Sequence, residues 1–493
     1  MEVDVGAAPY GGHQPEYPFS KSLTEVTTLA SVMVMIMKYK GKSVDMILPL
    51  DHYISEGIVA TRASRRTSSS LASPESANGP LKGMKILDLS RVLAAPYCSQ
   101  ILADYGADVI KVEDIDRGDD TRYWRQSGEE SSWKSDAGPI SYYFAAVNRN
   151  KRSICLNLKS EKGRDIFLRL ARQADVVIDN FRPGALERLR LGYDTLSELN
   201  PRIIHASVTG YGPSGPFAKR AGYDMIAGAE AGLLHLTGEK NGPPVRPGLG
   251  LTDISTGLYT HGAIMAALYA RERTGRGQKI DASLFETQVA LLSNVALAWL
   301  NLGQEAERWG TQHPSVVPYD AFKTKDFYFV CGATNDKQFT TLCRLLGEES
   351  LASDERFKTS ADRVNNRDDL FSILNRLFAK KSMDEWIQEF EGSGMPYAPI
   401  NTMEKVFAHP QTEARHMVES IPHNAAVSGS IKILGPAVKF SDTEPTIRSD
   451  PPLLGQHTTD ILEELGYDDM TIKTFMDDRV VGGHIGADVL KVE

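Results

Sequence analysis

From Lys82 onward the chain alternates short apolar runs with amphipathic stretches. Lys85-Ile-Leu-Asp-Leu-Ser90 predicts a strand, residues 96–105 a helix, and Ala107-Asp-Val-Ile-Lys-Val-Glu113 a second strand. Ser153-Ile-Cys-Leu-Asn-Leu158 predicts another, followed by residues 161–173 with apolar positions at helical spacing. Asp175-Val-Val-Ile-Asp-Asn180 and Ile203-Ile-His-Ala-Ser-Val208 continue the series. Short apolar strands alternating with helices imply an α/β fold, a mostly parallel sheet covered on both faces. No G-x-G-x-x-G follows the first strand, so the usual dinucleotide signal is missing from an otherwise Rossmann-like pattern.

A second block predicts a helix over 254–273, an extended segment over 278–285 and one long apolar helix over 286–302. Gly310-Thr-Gln-His-Pro-Ser315 breaks the pattern, and a smaller α+β region follows. That region predicts a strand over 328–332 and helices near 338–346, 367–379 and 383–392. Ser393-Gly-Met-Pro-Tyr-Ala-Pro399 is dense in turn formers and reads as a return linker. An extended stretch over 431–440 and a helix near 458–465 close the pattern. The expected organisation is an extension over 1–81, a large α/β domain over 82–285, a helical linker over 286–313, a small α+β domain over 314–392, and a return linker with a C-terminal part over 393–493.

Composition narrows the function classes. The chain has 493 residues, enough for about three domains and a large core. With 64 acidic against 55 basic side chains the net charge is −9, which disfavours a nucleic-acid binder. An anionic ligand must therefore meet a local basic patch. Cys98, Cys155, Cys331 and Cys343 fit neither a zinc nor a C-x-x-C spacing and read as reduced core thiols of an intracellular protein. The best apolar run before the ordered pattern, residues 29–37, is far short of the ~20 residues a membrane helix needs, so no membrane partner is expected. Residues 57–73 contain no acid, and Arg62, Arg65 and Arg66 stand among serines and a threonine. That composition resembles a mitochondrial presequence, and its distance from residue 1 suggests translation starting further in, for instance at Met46; a flexible linker is the plainer alternative.

Three stretches are candidates for chemistry. Pro244-Val-Arg-Pro-Gly-Leu-Gly-Leu-Thr-Asp253 places a carboxylate where a glycine-containing loop enters a helix. The plain reading is a helix N-cap. The chemical reading is a carboxylate nucleophile, ionised at the positive helix end, in a loop that a ligand can approach closely. Gly222-Tyr223-Asp224 is either the start of a buried helix or a tyrosine lining a pocket. Asn180-Phe-Arg-Pro-Gly184 leaves the carboxyl end of a strand, where open α/β sheets bind ligands, with Arg188 and Arg190 close by; a turn and a solvated helix face is the plainer account. No H-E-x-x-H, P-loop or G-x-S-x-G sequence competes with these.

Taken together, the long motifs resemble the class III CoA-transferase family, which also contains the α-methylacyl-CoA racemases. They are Lys85-Ile-Leu-Asp-Leu-Ser-Arg-Val-Leu-Ala-Ala-Pro-Tyr-Cys98, Gly106-Ala-Asp-Val-Ile-Lys-Val-Glu113, Asn150-Lys-Arg-Ser153, Asn180-Phe-Arg-Pro-Gly184 and Thr274-Gly-Arg-Gly-Gln278. The resemblance runs from about residue 82 to 481. Residues 317–326, 390–401 and 452–459 carry a closer likeness to mitochondrial members that move CoA from succinyl-CoA to C5 dicarboxylates.

The resemblance implies a large Rossmann-like domain built from the N- and C-terminal parts, an inserted small domain, and two chains threaded into an interlocked homodimer in the mitochondrial matrix. It implies Asp253 as the catalytic nucleophile. It places CoA against Leu93, Ala94, Leu156, Asn157, Leu158, Lys159, Asn180, Phe181, Arg182, Arg188, Ala221, Gly222, Tyr223 and Asp224. The CoA thioester is a substrate, and no tightly bound cofactor or metal is expected. The partner substrate is a dicarboxylic acid such as glutarate, hydroxymethylglutarate or itaconate. Arg246, seven residues before Asp253, is a candidate for its distal carboxylate.

Two positions depart from the formyl-CoA branch. Leu93 stands for its glutamine and Asp114 for an arginine, which leaves Arg122, Lys151 or Arg152 as substitute phosphate contacts. Tyr223 stands where racemases carry a histidine. An unperturbed tyrosine, with a pKa near ~10, is a poor proton acceptor, so the racemase is the second reading. A CoA-binding protein without catalysis is a third, against which the intact Asp253 motif stands.

Overall fold

The computed structural model describes residues 35–39, 42–46 and 79–483. The presequence-like stretch over 57–73 lies outside the described residues. Strands β1 (Met35–Tyr39) and β2 (Lys42–Met46) pair antiparallel as a hairpin, a unit by itself.

The main body is organised on a seven-stranded sheet. Its strands are β3 (Lys85–Asp88), β4 (Asp108–Glu113), β5 (Lys151–Leu156), β6 (Val176–Asp179), β7 (Ile204–Thr209), β8 (Lys279–Ser283) and β14 (Val481–Gly482). The order across the sheet is β14-β5-β4-β3-β6-β7-β8. All neighbours run parallel except the edge strand β14, which pairs antiparallel with β5. Alternation splits the side chains between two cores. Leu87, Ile110, Val112, Ile154 and Val177 face one core, which Ile166, Phe167 and Leu170 of the helix Glu161–Gln173 fill. Ile86, Val109, Val176 and Ile178 face the other, filled from the helices Ala94–Asp104 and Leu251–Thr274. The expected doubly covered α/β sheet is therefore present. Ile461, Leu462, Ile472, Val480 and Val481 join the first core, so the C-terminal segment completes the large α/β body.

A smaller antiparallel sheet of order β11-β10-β9 is formed by β9 (Tyr319–Lys323), β10 (Tyr328–Gly332) and β11 (Tyr397–Pro399). It carries its own aromatic core, in which Phe322 stacks on Phe378 at 4.4 Å. A hairpin of β12 (Val418–Pro422) and β13 (Ser430–Leu434) follows.

Three local readings change. Residues 393–399 are more than a linker: Tyr397–Pro399 is an edge strand on β10, because Pro396 before it and Pro399 at its end keep the segment extended and an edge position needs few N–H donors. The apolar stretch 286–302 is two helices, Leu284–Leu291 and Ser293–Leu302. Polar Ser293 takes left-handed backbone (φ 48°) and breaks the run. Extended structure stops at Ser283, whose hydroxyl accepts from the Glu286 N–H and starts the first of these helices. All four cysteines are free and buried, as core thiols should be.

Candidate active site

The sheet order places a topological switch between β3 and β6: the chain leaves β3 towards β4 on one side and returns to β6 on the other. Loops at the carboxyl ends of such strands diverge and leave a crevice. A cleft of about 360 Å³ opens there.

The first wall is the turn after β3. Asn180, from the loop after β6, clamps this turn: its Oδ1 accepts from the Arg91 N–H at 3.0 Å and its Nδ2 donates to the Arg91 carbonyl at 2.7 Å. Leu93 then starts the helix Ala94–Asp104 with no side-chain cap. The second wall is the β6 loop itself. Asp179 accepts from the Phe181 N–H at 3.0 Å and is held in turn by His205 Nε2 at 2.8 Å. Gly184, with φ 80°, turns the chain into the short helix that carries Arg188.

The third wall comes from beyond β7. A Cβ on Gly210 would stand 2.7 Å from the Gly222 Cα, so only glycines let these backbones cross. The crossing sets Tyr223, 63% exposed, at the start of the helix Asp224–Glu230. Asp224 Oδ1 accepts from the Asp253 N–H at 3.1 Å and so ties the Gly222-Tyr-Asp224 segment to the candidate nucleophile. The helix Leu251–Thr274 packs closely on Ala94–Asp104, where a Cβ on Gly257 would lie 2.5 Å from the Ala94 carbonyl oxygen.

Of the residues singled out from sequence, Leu93, Ala94, Asn180, Phe181, Arg182, Arg188, Ala221, Gly222, Tyr223 and Asp253 line this one cleft. Asp224 stands just behind it, bonded to Asp253. Leu156, Asn157, Leu158 and Lys159 do not line it. Leu156 ends β5 and the other three follow it, two strands from the switch point. Leu156 is buried, Leu158 packs on the same core, Asn157 donates its N–H to the Val480 carbonyl, and Lys159 is exposed at the rim of the sheet.

Two expectations about Asp253 change. The N-cap is Gly250, and Asp253 is the third residue of the helix. Nor does the helix end keep its carboxyl readily ionised: burial, with the Asp224 charge adding to it, pushes the group up to about 7. Among the described residues the carboxylate accepts no hydrogen bond from the protein, so nothing offsets the lost water.

The substitute phosphate contacts also fail. Arg122 is fully buried on Glu113, with bonds of 2.8 and 2.6 Å. Lys151 is buried on Asp88, Asn148 and the Pro96 carbonyl. Arg152 is paired with Asp108 and Glu464. Each is committed inside the fold. Arg182 and Arg188 are exposed at the cleft and form no ion pair among the described residues. Arg246 is exposed, its Nε donating to the Pro247 carbonyl.

Four residues of the site escaped sequence reasoning. Arg91 and Asp120 pair at 3.0 Å on the cleft wall. Arg220 lines the mouth, held by Glu230 at 2.5 Å; its place directly before Ala221-Gly-Tyr-Asp224 was the available signal. Tyr143 packs edge-to-face on Trp124 at 5.3 Å. Burial raises its hydroxyl pKa and the charges of Asp253 and Asp224 raise it further, so Tyr143 stands near the candidate nucleophile although it does not line the cleft.

Residues 81–458 match the CoA-transferase family III. The chain is 60% identical over 427 residues to an acyl-CoA transferase of Fusarium pseudograminearum, covering 86% of this chain and 94% of that one. It is 48% identical over 406 residues to the succinyl-CoA:glutarate CoA-transferase of Homo sapiens, covering 82% and 90%. A crystal structure of a CAIB/BAIF family protein from Brucella suis superposes with a TM-score of 0.70 at 41% identity, covering 79% of this chain and all of that one.

Proposed function

The chain belongs to CoA-transferase family III and is a CoA-transferase, and we propose that it moves CoA from succinyl-CoA to a dicarboxylate such as glutarate, hydroxymethylglutarate or itaconate. The observation that carries the reading is Asp253: a carboxylate without a hydrogen-bond donor among the described residues, facing a switch-point cleft with exposed arginines at its wall.

In the first step an Asp253 oxygen attacks the thioester carbonyl, the C–S bond breaks and CoA leaves as thiolate, giving a mixed anhydride. The thiolate then attacks the Asp253 carbonyl carbon, which forms aspartyl-CoA and releases the donor acid. The acceptor carboxylate attacks that thioester, giving a second anhydride and thiolate again. The thiolate finally attacks the acceptor's acyl carbon, yielding the new acyl-CoA and free Asp253. Each step exchanges one activated acyl bond for another, so the sequence requires neither ATP nor a metal. A half-buried carboxylate with no donor to solvate it is the more reactive nucleophile once ionised, because little water must be removed from it.

Arg182 and Arg188 are suited to CoA phosphates, and the carboxyl end of β5 with Lys159 opens on the same side, as parallel strands require. Exposed Arg246 is suited to the distal carboxylate of the acceptor. A homodimer is part of the proposal. The helix Ser293–Leu302 buries none of its residues and presents Leu297, Trp299, Leu300 and Leu302 at 54–72% exposure, a face that a second copy would cover. So is the matrix address, for which fusion of residues 1–81 to a fluorescent reporter is the test; a cytosolic reporter would remove it.

The decisive experiment mixes the protein with succinyl-CoA and each of glutarate, hydroxymethylglutarate, itaconate, oxalate and formate, and identifies CoA products by mass. New dicarboxyl-CoA species, absent with Asp253→Ala, are expected. A folded, CoA-binding protein silent across the panel would refute the transfer reading. Rapid deuterium exchange at the α-carbon of a 2-methylacyl-CoA would instead favour the racemase, although no histidine lines the cleft among the described residues.

A further inference from the structure

Beneath the cleft lies a buried charge cluster that none of the four transfer steps uses. It meets the turn after β3, where Val92 is β-branched and yet has φ 72°. Such backbone is costly for this residue type and persists only where the surroundings impose it.

Each residue of the turn is gripped by a side chain from elsewhere. Lys111 Nζ donates to the Ser90 carbonyl at 2.8 Å. Asn180 brackets Arg91. Asp119 accepts from the Val92 N–H, at 3.1 Å to Oδ1 and 3.3 Å to Oδ2. The Thr121 N–H and hydroxyl donate to the same carboxylate at 3.0 and 2.8 Å, and Lys111 lies 3.0 Å from it with both side chains at 0% exposure. Burial opposes the charge of Asp119, but Lys111 and Thr121 outweigh it and hold the carboxyl below its usual range. Leu93, the next residue, lines the cleft and packs against Gly250, three residues before Asp253.

We propose that Asp119 is a positioning residue for the transfer reaction: it holds the left-handed Val92 turn, so that the wall of Leu93 and Ala94 stands at a fixed distance from Asp253. The proposal rests on the transferase reading above.

A double-mutant cycle tests it, comparing wild type, D119A, V92G and D119A/V92G at pH 8. In the Val92 background, D119A is expected to lower kcat about tenfold and to change KM for succinyl-CoA less than about threefold. In the V92G background the same substitution is expected to cost less than about threefold, since glycine takes positive φ without a holder. Thermal stability should fall equally in both backgrounds, because Lys111 loses its partner either way. Equal kcat losses in the two backgrounds would overturn the proposal.

If D119A does not fold, D119N carries the same comparison. It keeps an acceptor for the Val92 N–H but loses the charge pair, so a smaller loss that disappears with V92G supports the proposal and an equal loss overturns it. If wild type moves CoA to no acid, the transferase reading falls and the turn is read by hydrogen exchange. D119A or D119N should then speed exchange at the amides of residues 92–94 about tenfold while leaving β7 unchanged, and unaltered exchange overturns the proposal.

Discussion

In the proposed mechanism the ionisation of Asp253 sets the pH dependence of the reaction. Only the carboxylate can attack a thioester, and the group is pushed from 3.8 up to about 7, first by burial and second by Asp224. At about 1.4 kcal/mol for each pKa unit, ionising Asp253 costs about 4 kcal/mol more than in water. About a tenth of the sites would be ionised at pH 6 and about nine-tenths at pH 8. The quantity to measure is kcat/KM for succinyl-CoA between pH 5 and 9, which reports the free enzyme. It should rise about tenfold per pH unit at the acid end and level off above about 7. Asp224→Asn keeps an oxygen for the Asp253 N–H but removes the neighbouring charge. Because Asp224 is the lesser cause, the acid limb should move down by about one pH unit or less, leaving the part due to burial. A limb centred near 4 in wild type, or one that Asp224→Asn leaves in place or moves upward, would refute this account of the site.

The same burial has a cost for stability. A carboxyl raised in the folded state loses stability as pH climbs from its unfolded value to its folded one, so Asp253→Asn should be more stable than wild type at pH 8, by up to about 4 kcal/mol, with the gap closing below about pH 4; urea unfolding at the two pH values measures it. Gly257→Ala would drive a methyl to 2.5 Å from the Ala94 carbonyl, forcing the two central helices apart. A loss of about 1–3 kcal/mol and a matching drop in transfer rate are expected, read by thermal unfolding and product mass. Arg188→Ala should raise KM for succinyl-CoA about tenfold with little change in kcat, as loss of a charged contact to a non-reacting part of the substrate does; an unchanged KM would place the CoA phosphates elsewhere.

What the sequence made legible follows from what each signal depends on. Strands β3 to β7 were readable because a doubly covered strand is mostly apolar, and Glu161–Gln173 because its face repeats at helical spacing. Tyr397–Pro399 was unreadable as a strand because pairing with β10 is a tertiary fact that turn-forming residues conceal. The break at Ser293 was hidden for a similar reason: a single serine in an apolar run gives no periodic signal. Within the site, loop motifs at strand ends led to the cleft, since their position on the sheet is fixed by topology. Buried cations could not be told from exposed ones at the cleft. Arg122, Lys151 and Arg152 differ from Arg182 and Arg188 only in whether a distant carboxylate meets them.

That difference also explains how a chain of net charge −9 can present unpaired arginines at its cleft. Three buried pairs, Lys111 with Asp119, Lys151 with Asp88 and Arg122 with Glu113, cancel charge inside the body and hold the loops that frame the cleft. Buried pairs add little net stability against an apolar core, but each fixes a geometry that apolar packing would leave looser. The exposed arginines are then free to meet the proposed ligand, while Asp253 has neither a cation nor a donor among the described residues. Pairing Asp253 with any of those cations would lower its pKa and stabilise it in the resting state, at the expense of the nucleophilicity on which the proposed first transfer step depends. Rigid walls and an unpaired carboxylate are thus two results of one distribution of charge.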